Sequence, residues 1–333
     1  MAEPFLVRPL VAVVGGDTLL ARELRELLAE AKPAPRVELI SGVADQLLAG
    51  DEEAGDEPVV MVPLAAQSFE GAAVVFLAGT QASSRKAQKI ASKNTVLIDL
   101  TSALEEQPNA RLRAPLAEKA AVKNLGAVQV IAHPAAIAMA MFLARLSECA
   151  PIRRSIIHVF EPASERGQKG LDELQQQNVA VLSFQKLKTD VFDTQLAFAM
   201  LARYGEEAEE PLEGIERRVE RHLASLLAAW DGIPMPSLRV IQAPVFHGHS
   251  FSAWVEFDEN PGVEALHRAL DGDGIDVRPD EPPTNIGVAG QNGLSVGAIS
   301  VDPNQARACW FWMAADNFRL SAENAVAVMK EWL

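Results

Sequence analysis

Apolar runs and helix-spaced leucines alternate along the first third of the chain. "VRPLVAVVGG" (7–16) is a near-continuous apolar run closed by two glycines and predicts a buried strand. "TLLARELRELLAE" (18–30) places Leu20, Leu24, Leu27 and Leu28 on one helical face. "KPAPR" ends that helix and "VELI" (37–40) reads as a second strand. "DEEAGDE" (51–57) is a solvated acidic loop, and "AAVVFLAG" (72–79) is again a buried strand. "ASSRKAQKIASK" (82–93) is a helix with its basic residues outward, and "TVLIDLTS" (95–102) is the next strand. Strands that are apolar throughout and alternate with helices predict a parallel sheet covered on both faces. Residues 1–131 therefore read as an α/β, doubly wound, Rossmann-like domain.

The pattern then changes. "IRRSIIHVFEP" (152–162), "LRVIQAPVFHGHSFSAWVEF" (238–257), "LSVGAISVDP" (294–303) and "ACWFWMAADN" (308–317) are strand-like and are mostly not separated by helices. Helical spacing appears at 135–148, 165–177, 189–201, 212–229 and 261–270, and "LSAENAVAVMKEWL" (320–333) is an amphipathic helix. These features predict an α+β second domain, 132–317, with a mainly antiparallel sheet.

Composition narrows the partners. The chain has 333 residues, 49% of them hydrophobic, which is enough for two cores. A formal net charge of −15 repels phosphate backbones and anionic lipid, so neither nucleic acid nor a membrane surface is expected as a partner. No 18-residue apolar run and no signal-peptide pattern is seen, and Cys149 and Cys309 are too few for a disulfide framework. A cytoplasmic protein with both cysteines as buried apolar residues is expected.

Two places carry candidate chemistry. The first strand–helix turn, "VVGGDTLL", holds Gly15 and Gly16 where a dinucleotide site needs close backbone approach, and Gly79 closes a neighbouring strand. Asp17 follows in place of further glycine and is expected to cap the helix, which puts a carboxylate where a phosphate belongs. No acidic residue ends the second strand, at Ser41, to take a ribose diol. Gly15, Gly16, Asp17 and Gly79 are thus candidate cofactor contacts with a degraded fingerprint. A Rossmann turn without nucleotide and one that still takes NADP both remain open. The second place is "APVFHGHS" (243–250), where His247 and His249 are expected on one strand face. Two histidines are half a metal site, and with no third ligand no metal is expected.

Several stretches together resemble one family. "AVVFLAGTQASSRKAQKIASKNTVLIDLTSAL" (73–104), "VIAHPAAIAMAMFLARL" (130–146), "QLAFAML" (195–201), "APVFHGHS", "GLSVGAISVDP" (293–303) and "FWMAADNFRLSAENAV" (311–326) resemble aspartate-semialdehyde dehydrogenase, nearest to its divergent Usg-type paralogues. The resemblance implies a homodimer with a Rossmann-type NADP domain, 1–131 plus the C-terminal helix 318–333, and an α+β substrate and dimerisation domain, 132–317. It implies an oxidoreductase of amino-acid biosynthesis that reduces aspartyl phosphate with NADPH through a thioester on a cysteine.

That chemistry needs a thiolate at a helix start. In "HPAAIAMAM" Pro134 is kept, but Ala135 stands for the family's asparagine and Ala136 for its cysteine. Cys149 lies at the far end of the predicted helix, roughly 20 Å away. The glutamine that orients the acyl group aligns with Glu161, and the arginine that grips the substrate carboxylate aligns with Gln242. The phosphate arginine aligns with Glu105, a reversal of charge that costs about 4 kcal/mol for like charges 4 Å apart at an effective dielectric of 20. The phosphate lysine falls near Glu216, Arg217 or Arg218, and His249 keeps the position of the general acid/base. Three readings follow. The chain is a pseudoenzyme homologue without the parent activity, acting alone or as a heteromeric partner of a catalytic homologue. It is an NADP-dependent oxidoreductase of the family's own or a neighbouring reaction. Or it binds a small molecule without turnover.

Overall fold

The computed structural model describes residues 8–42, 60–92, 95–119 and 126–333; the acidic stretch 51–57 and the end of the helix predicted over 82–93 lie outside the described residues. The apolar runs become strands β1 (Leu10–Val14), β2 (Arg36–Ile40), β3 (Ala72–Leu77) and β4 (Val96–Asp99). Two strands that periodicity did not reveal, β5 (Ala110–Arg113) and β6 (Val128–Ile131), complete a sheet in the order β2-β1-β3-β4-β6-β5. Every pairing in it is parallel. β1, β4 and β6 are buried almost throughout because helices cover both faces of such a sheet. Helix α1 (Leu19–Glu30) buries Ala21, Leu24, Leu27 and Leu28, and α2 (Gln81–Ile90) buries Ser83, Ser84 and Ala87.

The cap of α1 differs from expectation. Thr18, not Asp17, occupies the N-cap: its hydroxyl accepts from Ala21 N at 3.1 Å and donates to Ala78 O at 2.9 Å. Asp17 points to solvent.

The second sheet runs β10-β11-β12-β9-β7-β8, built from β7 (Ile152–Glu161), β8 (Ser237–Gln242), β9 (His249–Phe257), β10 (Ile275–Arg278), β11 (Leu294–Asp302) and β12 (Gln305–Ala315). Its central pairings are antiparallel and its two outer ones, β10 with β11 and β7 with β8, are parallel. The helices are α3 (Pro134–Cys149), α4 (Gly167–Leu182), α5 (Leu212–Leu227), α6 (Val263–Leu270) and α7 (Asn317–Lys330). α3 is buried on every face from Pro134 to Ala144 and packs against α5, α6 and β7, with Phe142 edge-on to Phe311 at 5.0 Å. A helix apolar all round has no solvent face to offer.

Three expectations for this region are corrected. The run 238–257 is two strands, not one: Gly248 sits at φ +80, and a side chain there would meet Asn285 O, so the chain detours over 243–248. Residues 189–201 form no helix. Their amides are taken by α4 side chains instead: Glu173 accepts from Val191 N and Phe192 N, and Gln177 Oε1 accepts from Leu196 N and Ala197 N at 2.7 and 3.0 Å. The helix expected over 165–177 begins later, at Gly167, after a 3-10 turn, Ala163–Arg166, and continues to Leu182. Cys309 is buried as expected, whereas Cys149 is only half-buried.

By its contacts the chain divides into two units. One comprises Met1–Pro115, Ala120–Ala132 and Ser321–Leu333; the other comprises Leu116–Lys119 and His133–Leu320. Within the first, Arg113 of β5 is fully buried and donates to both carboxylate oxygens of Glu331, just beyond α7, at 2.7 and 2.9 Å.

Candidate functional site

The glycine turn of the first unit is built for strand-end packing. A Cβ on Gly15, at φ +82, would collide with Gly79 Cα, and one on Gly79 would meet Ser83 Oγ. The amides of Gly15 and Gly16 both donate to Ile40 O, at 2.9 and 3.2 Å, and that of Thr18 donates to Gly15 O. The amides of Gly15, Gly16 and Thr18 are therefore already engaged within the turn, and the Thr80–Ser83 capping box engages those of Thr80 and Ser83 at the α2 start. These residues fit a dinucleotide phosphate poorly. Glu105 belongs to this unit and lies close enough to Asp99 to raise its carboxyl, after burial as the main cause.

The second unit gathers a dense polar cluster at the β7 end, the start of α3 and the start of β9. His133 is the N-cap of α3 ahead of Pro134; its Nδ1 accepts from Ala135 N at 3.2 Å, and its backbone amide donates to His222 Nδ1 at 2.9 Å. Since Nδ1 accepts, the ring proton sits on Nε2, which lies 3.6 Å from Glu165 Oε2. The His249 ring is 5.8 Å from that of His133, and its Nδ1 is 4.0 Å from Glu165 Oε1. His249 is 1% exposed, and neither ring nitrogen has a hydrogen-bond partner among the described residues. Burial, with help from His247, lowers its pKa to about 3, so the ring is neutral. His133 is lowered well below its ordinary value, also by burial first.

Glu161, at the end of β7, is fully buried. Its Oε1 takes an ion pair from Arg166 at 3.2 Å, while Oε2 has no partner among the described residues. Burial pushes its carboxyl up to about 8, against the pull of Arg166. Arg166 also reaches Glu210 at 2.8 Å, and Arg218 of α5 holds the same carboxylate at 2.6 Å. Burial raises the Glu165 carboxyl too, against Arg166 and a 2.8 Å hydrogen bond from Asn317 Nδ2.

Other candidate residues are placed differently. Gln242 is buried and saturated: its Oε1 accepts from Tyr204 OH at 2.6 Å, and its Nε2 donates to Glu161 O and Ala243 O at 2.8 and 3.1 Å. Glu216 accepts from Val240 N, so it holds β8. Ala136 is buried in the first turn of α3. Cys149 ends that helix, and Cys309 pairs with Val255 while Ala315 pairs with His249, so Cys309 lies some six residues, about 20 Å, along the strands from His249.

His247 does not share a strand face with His249. It precedes β9, and the left-handed Gly248 between them turns its ring to Asp316 Oδ1 at 2.9 Å and Ser164 Oγ at 3.2 Å. Asp316 Oδ1 also accepts from Phe318 N and Arg319 N at the start of α7. This Ser–His–Asp chain has the order of a proton relay, but Ser164 is sealed from solvent and also binds Asn317, so it ties the α7 start to the 3-10 turn. Among the described residues no group of His, Cys, Asp or Glu side chains is arranged to hold a metal, and no helix is long and apolar enough to cross a membrane.

Sequence reasoning named His249, Glu161 and Arg218 from this cluster but missed His133, Glu165, Arg166, Glu210 and Asn317. Two signals were available: a histidine directly before a helix-opening proline, and three charges within "EPASER".

A parallel doubly wound unit followed by a mixed unit with a buried histidine at a strand start defines a two-unit dehydrogenase-type fold. The sequence profile of the semialdehyde dehydrogenase dimerisation domain matches residues 143–320. A USG-1 protein homolog of Azotobacter vinelandii is 30% identical over 329 residues, 95% of each chain. An aspartate-semialdehyde dehydrogenase of Rickettsia bellii is 25% identical over 332 residues, 96% of each. The solved structure of a probable aspartate-semialdehyde dehydrogenase from Pseudomonas aeruginosa superposes with a TM-score of 0.83 at 26% identity, covering 97% of this chain and 98% of that one. The chain belongs to the aspartate-semialdehyde dehydrogenase family, as the sequence resemblance implied.

Proposed function

We propose that this chain keeps the family scaffold and does not carry out the phosphorylating dehydrogenase reaction. The observation that carries this is Ala136: a methyl group, buried in the first turn of α3, stands where the resemblance puts the thiol, and both cysteines lie about 20 Å from the relevant element ends. A covalent aspartyl adduct needs a nucleophile there. The remaining positions support the reading. Gln242 is committed to Tyr204 and two backbone carbonyls and has no donor left for a substrate carboxylate. Glu105 carries the wrong charge for a phosphate. His249, neutral and buried, is a proton acceptor with nothing to activate.

In this reading residues 1–131 with 318–333 are the NADP-type unit in descent, and 132–317 form the substrate and dimerisation unit. The homodimer is supported by an apolar row across the second sheet: Ile156 and Trp310 are exposed and flank Trp254 across paired strands. A non-turnover binder is the second reading: polar atoms around His249 have no partner among the described residues, and Ala136 leaves no nucleophile for turnover.

The test is NADPH oxidation with aspartyl phosphate by the wild-type chain and by Ala136→Cys, alongside melting with NADP(H) at millimolar concentration. No turnover by the wild type is expected, and none in the variant, because Gln242 and Glu105 remain. Turnover by the wild type above buffer would overturn the proposal, and recovery in Ala136→Cys alone would confine the loss to the nucleophile. A melting temperature unmoved by NADP(H) excludes the oxidoreductase reading, since a ligand of the native state must stabilise it.

A further inference from the structure

The proton positions around Glu165 follow from two backbone amides. Gly248 N donates to Asn317 Oδ1 at 3.2 Å, which fixes the orientation of that side-chain amide. Asn317 Nδ2 is then the donor, and it meets Glu165 Oε1 at 2.8 Å. Ala135 N donates to His133 Nδ1 at 3.2 Å, so the proton of that ring is on Nε2, 3.6 Å from Glu165 Oε2. Each oxygen of Glu165 thus faces an N–H group, and the side chain stands as an acceptor.

The third group against Glu165 is His249, whose Nδ1 lies 4.0 Å from Oε1. That is longer than a hydrogen bond, a slack common in acid–base pairs before a ligand closes them. His249 is buried, and neither ring nitrogen has a hydrogen-bond partner among the described residues. Asp316 also acts on this ring, but it is engaged by His247 and by the amides of Gly290, Phe318 and Arg319.

We infer that Glu165 is a positioning residue: it holds the neutral ring of His249 as the Nδ1–H tautomer and leaves Nε2 as a bare acceptor. A carboxylate beside one imidazole nitrogen draws the proton to that nitrogen, and the other is then ready to take one. The ring is thereby set to accept from an O–H, N–H or S–H group rather than to donate to one, which is the polarity of a general base. Neutral histidine free in water prefers the proton on Nε2, so the reversed form marks a partner on Nδ1. The assignment goes beyond the function proposed above and does not depend on it, because it concerns a proton in the unliganded protein and not turnover.

Nitrogen NMR of the full chain, isotope-labelled on histidine, reads the tautomer directly, since the protonated and bare nitrogens of a neutral ring resonate far apart. Among the six histidines, the signals of His133 and His249 are assigned by their loss in His133→Gln and His249→Gln. At pH 7 the wild type is expected to show His249 mainly as Nδ1–H, and Glu165→Ala mainly as Nε2–H. His133 is the internal control: the Ala135 amide keeps it Nε2–H in both proteins. A merely structural role of Glu165 would leave the His249 tautomer where it was.

An Nε2–H form of His249 in the wild type overturns the inference, since Nδ1 would then be accepting, as it would from a protonated Glu165. A ring that stays Nδ1–H in Glu165→Ala overturns it too, as does a doubly protonated ring at pH 7. Should Glu165→Ala fail to fold, the wild-type spectrum still decides between the two tautomers. Turnover of aspartyl phosphate would overturn the function proposed above and leave this assignment standing.

Discussion

Replacing Glu161 by glutamine changes one proton-binding group in a site that is otherwise closed, and its effect must depend on pH. The folded carboxyl titrates at about 8 against an ordinary 4.5, with burial as the main cause and Glu165 and Glu210 adding to it. An acid with a raised folded pKa contributes stability that is complete below its unfolded pKa and is lost as pH rises through the folded one. The full shift is worth about 5 kcal/mol, at 1.36 kcal/mol per pH unit. His249 works the other way: its pKa is lowered to about 3 from 6.5, so the folded state is penalised as pH falls from 6.5 towards 3 and unaffected above it. Between 4.5 and 6.5 the carboxyl and the imidazole offset each other. Between 6.5 and 8 the carboxyl acts alone, and the wild type should lose about 2 kcal/mol over that interval.

Glutamine keeps the shape of the side chain and has no charge to desolvate. The stability of Glu161→Gln relative to wild type should therefore improve by about 2 kcal/mol between pH 6.5 and 8.5. Guanidinium unfolding followed by tryptophan fluorescence at the two pH values measures this directly. A difference between the two proteins that stays constant from pH 6.5 to 8.5 refutes the reasoning, since it means that Glu161 is ionised throughout and Arg166 satisfies it.

Two further substitutions probe the surroundings. Gln242→Ala strands the buried Tyr204 hydroxyl and removes the Gln242 amide from the Ala243 carbonyl, while the Glu161 carbonyl keeps the Ala243 amide, at about 1–3 kcal/mol for each unsatisfied group; an unchanged unfolding midpoint would show that the network carries no weight. Gly15→Ala forces a side chain into the left-handed region at φ +82 and against Gly79, and should cost about 2–3 kcal/mol or more, read as a drop in Tm; tolerance of alanine there would mean the two strand ends are not in contact.

Periodicity alone determined the α/β class, the parallel first sheet and most helices. The near-continuous apolar strands and leucine-spaced helices leave no other way to bury that surface. The sequence also puts alanine at residue 136, where the family resemblance places the thiol. Tertiary structure decided what local pattern could not. Residues 189–201 carry helical spacing, yet Glu173 and Gln177 capture their amides from a neighbouring helix. The two histidines of "HGHS" look equivalent in the sequence, yet the left-handed Gly248 sends one to Asp316 and leaves the other buried with no hydrogen-bond partner among the described residues. Glu161 reads in the sequence as one acidic residue among many. Only the folded chain buries it at the end of β7, where burial raises its carboxyl against the pull of an Arg166 shared with Glu210. Strand and helix follow from near-neighbour spacing along the chain, whereas protonation and charge balance depend on groups far apart in sequence that meet only after folding.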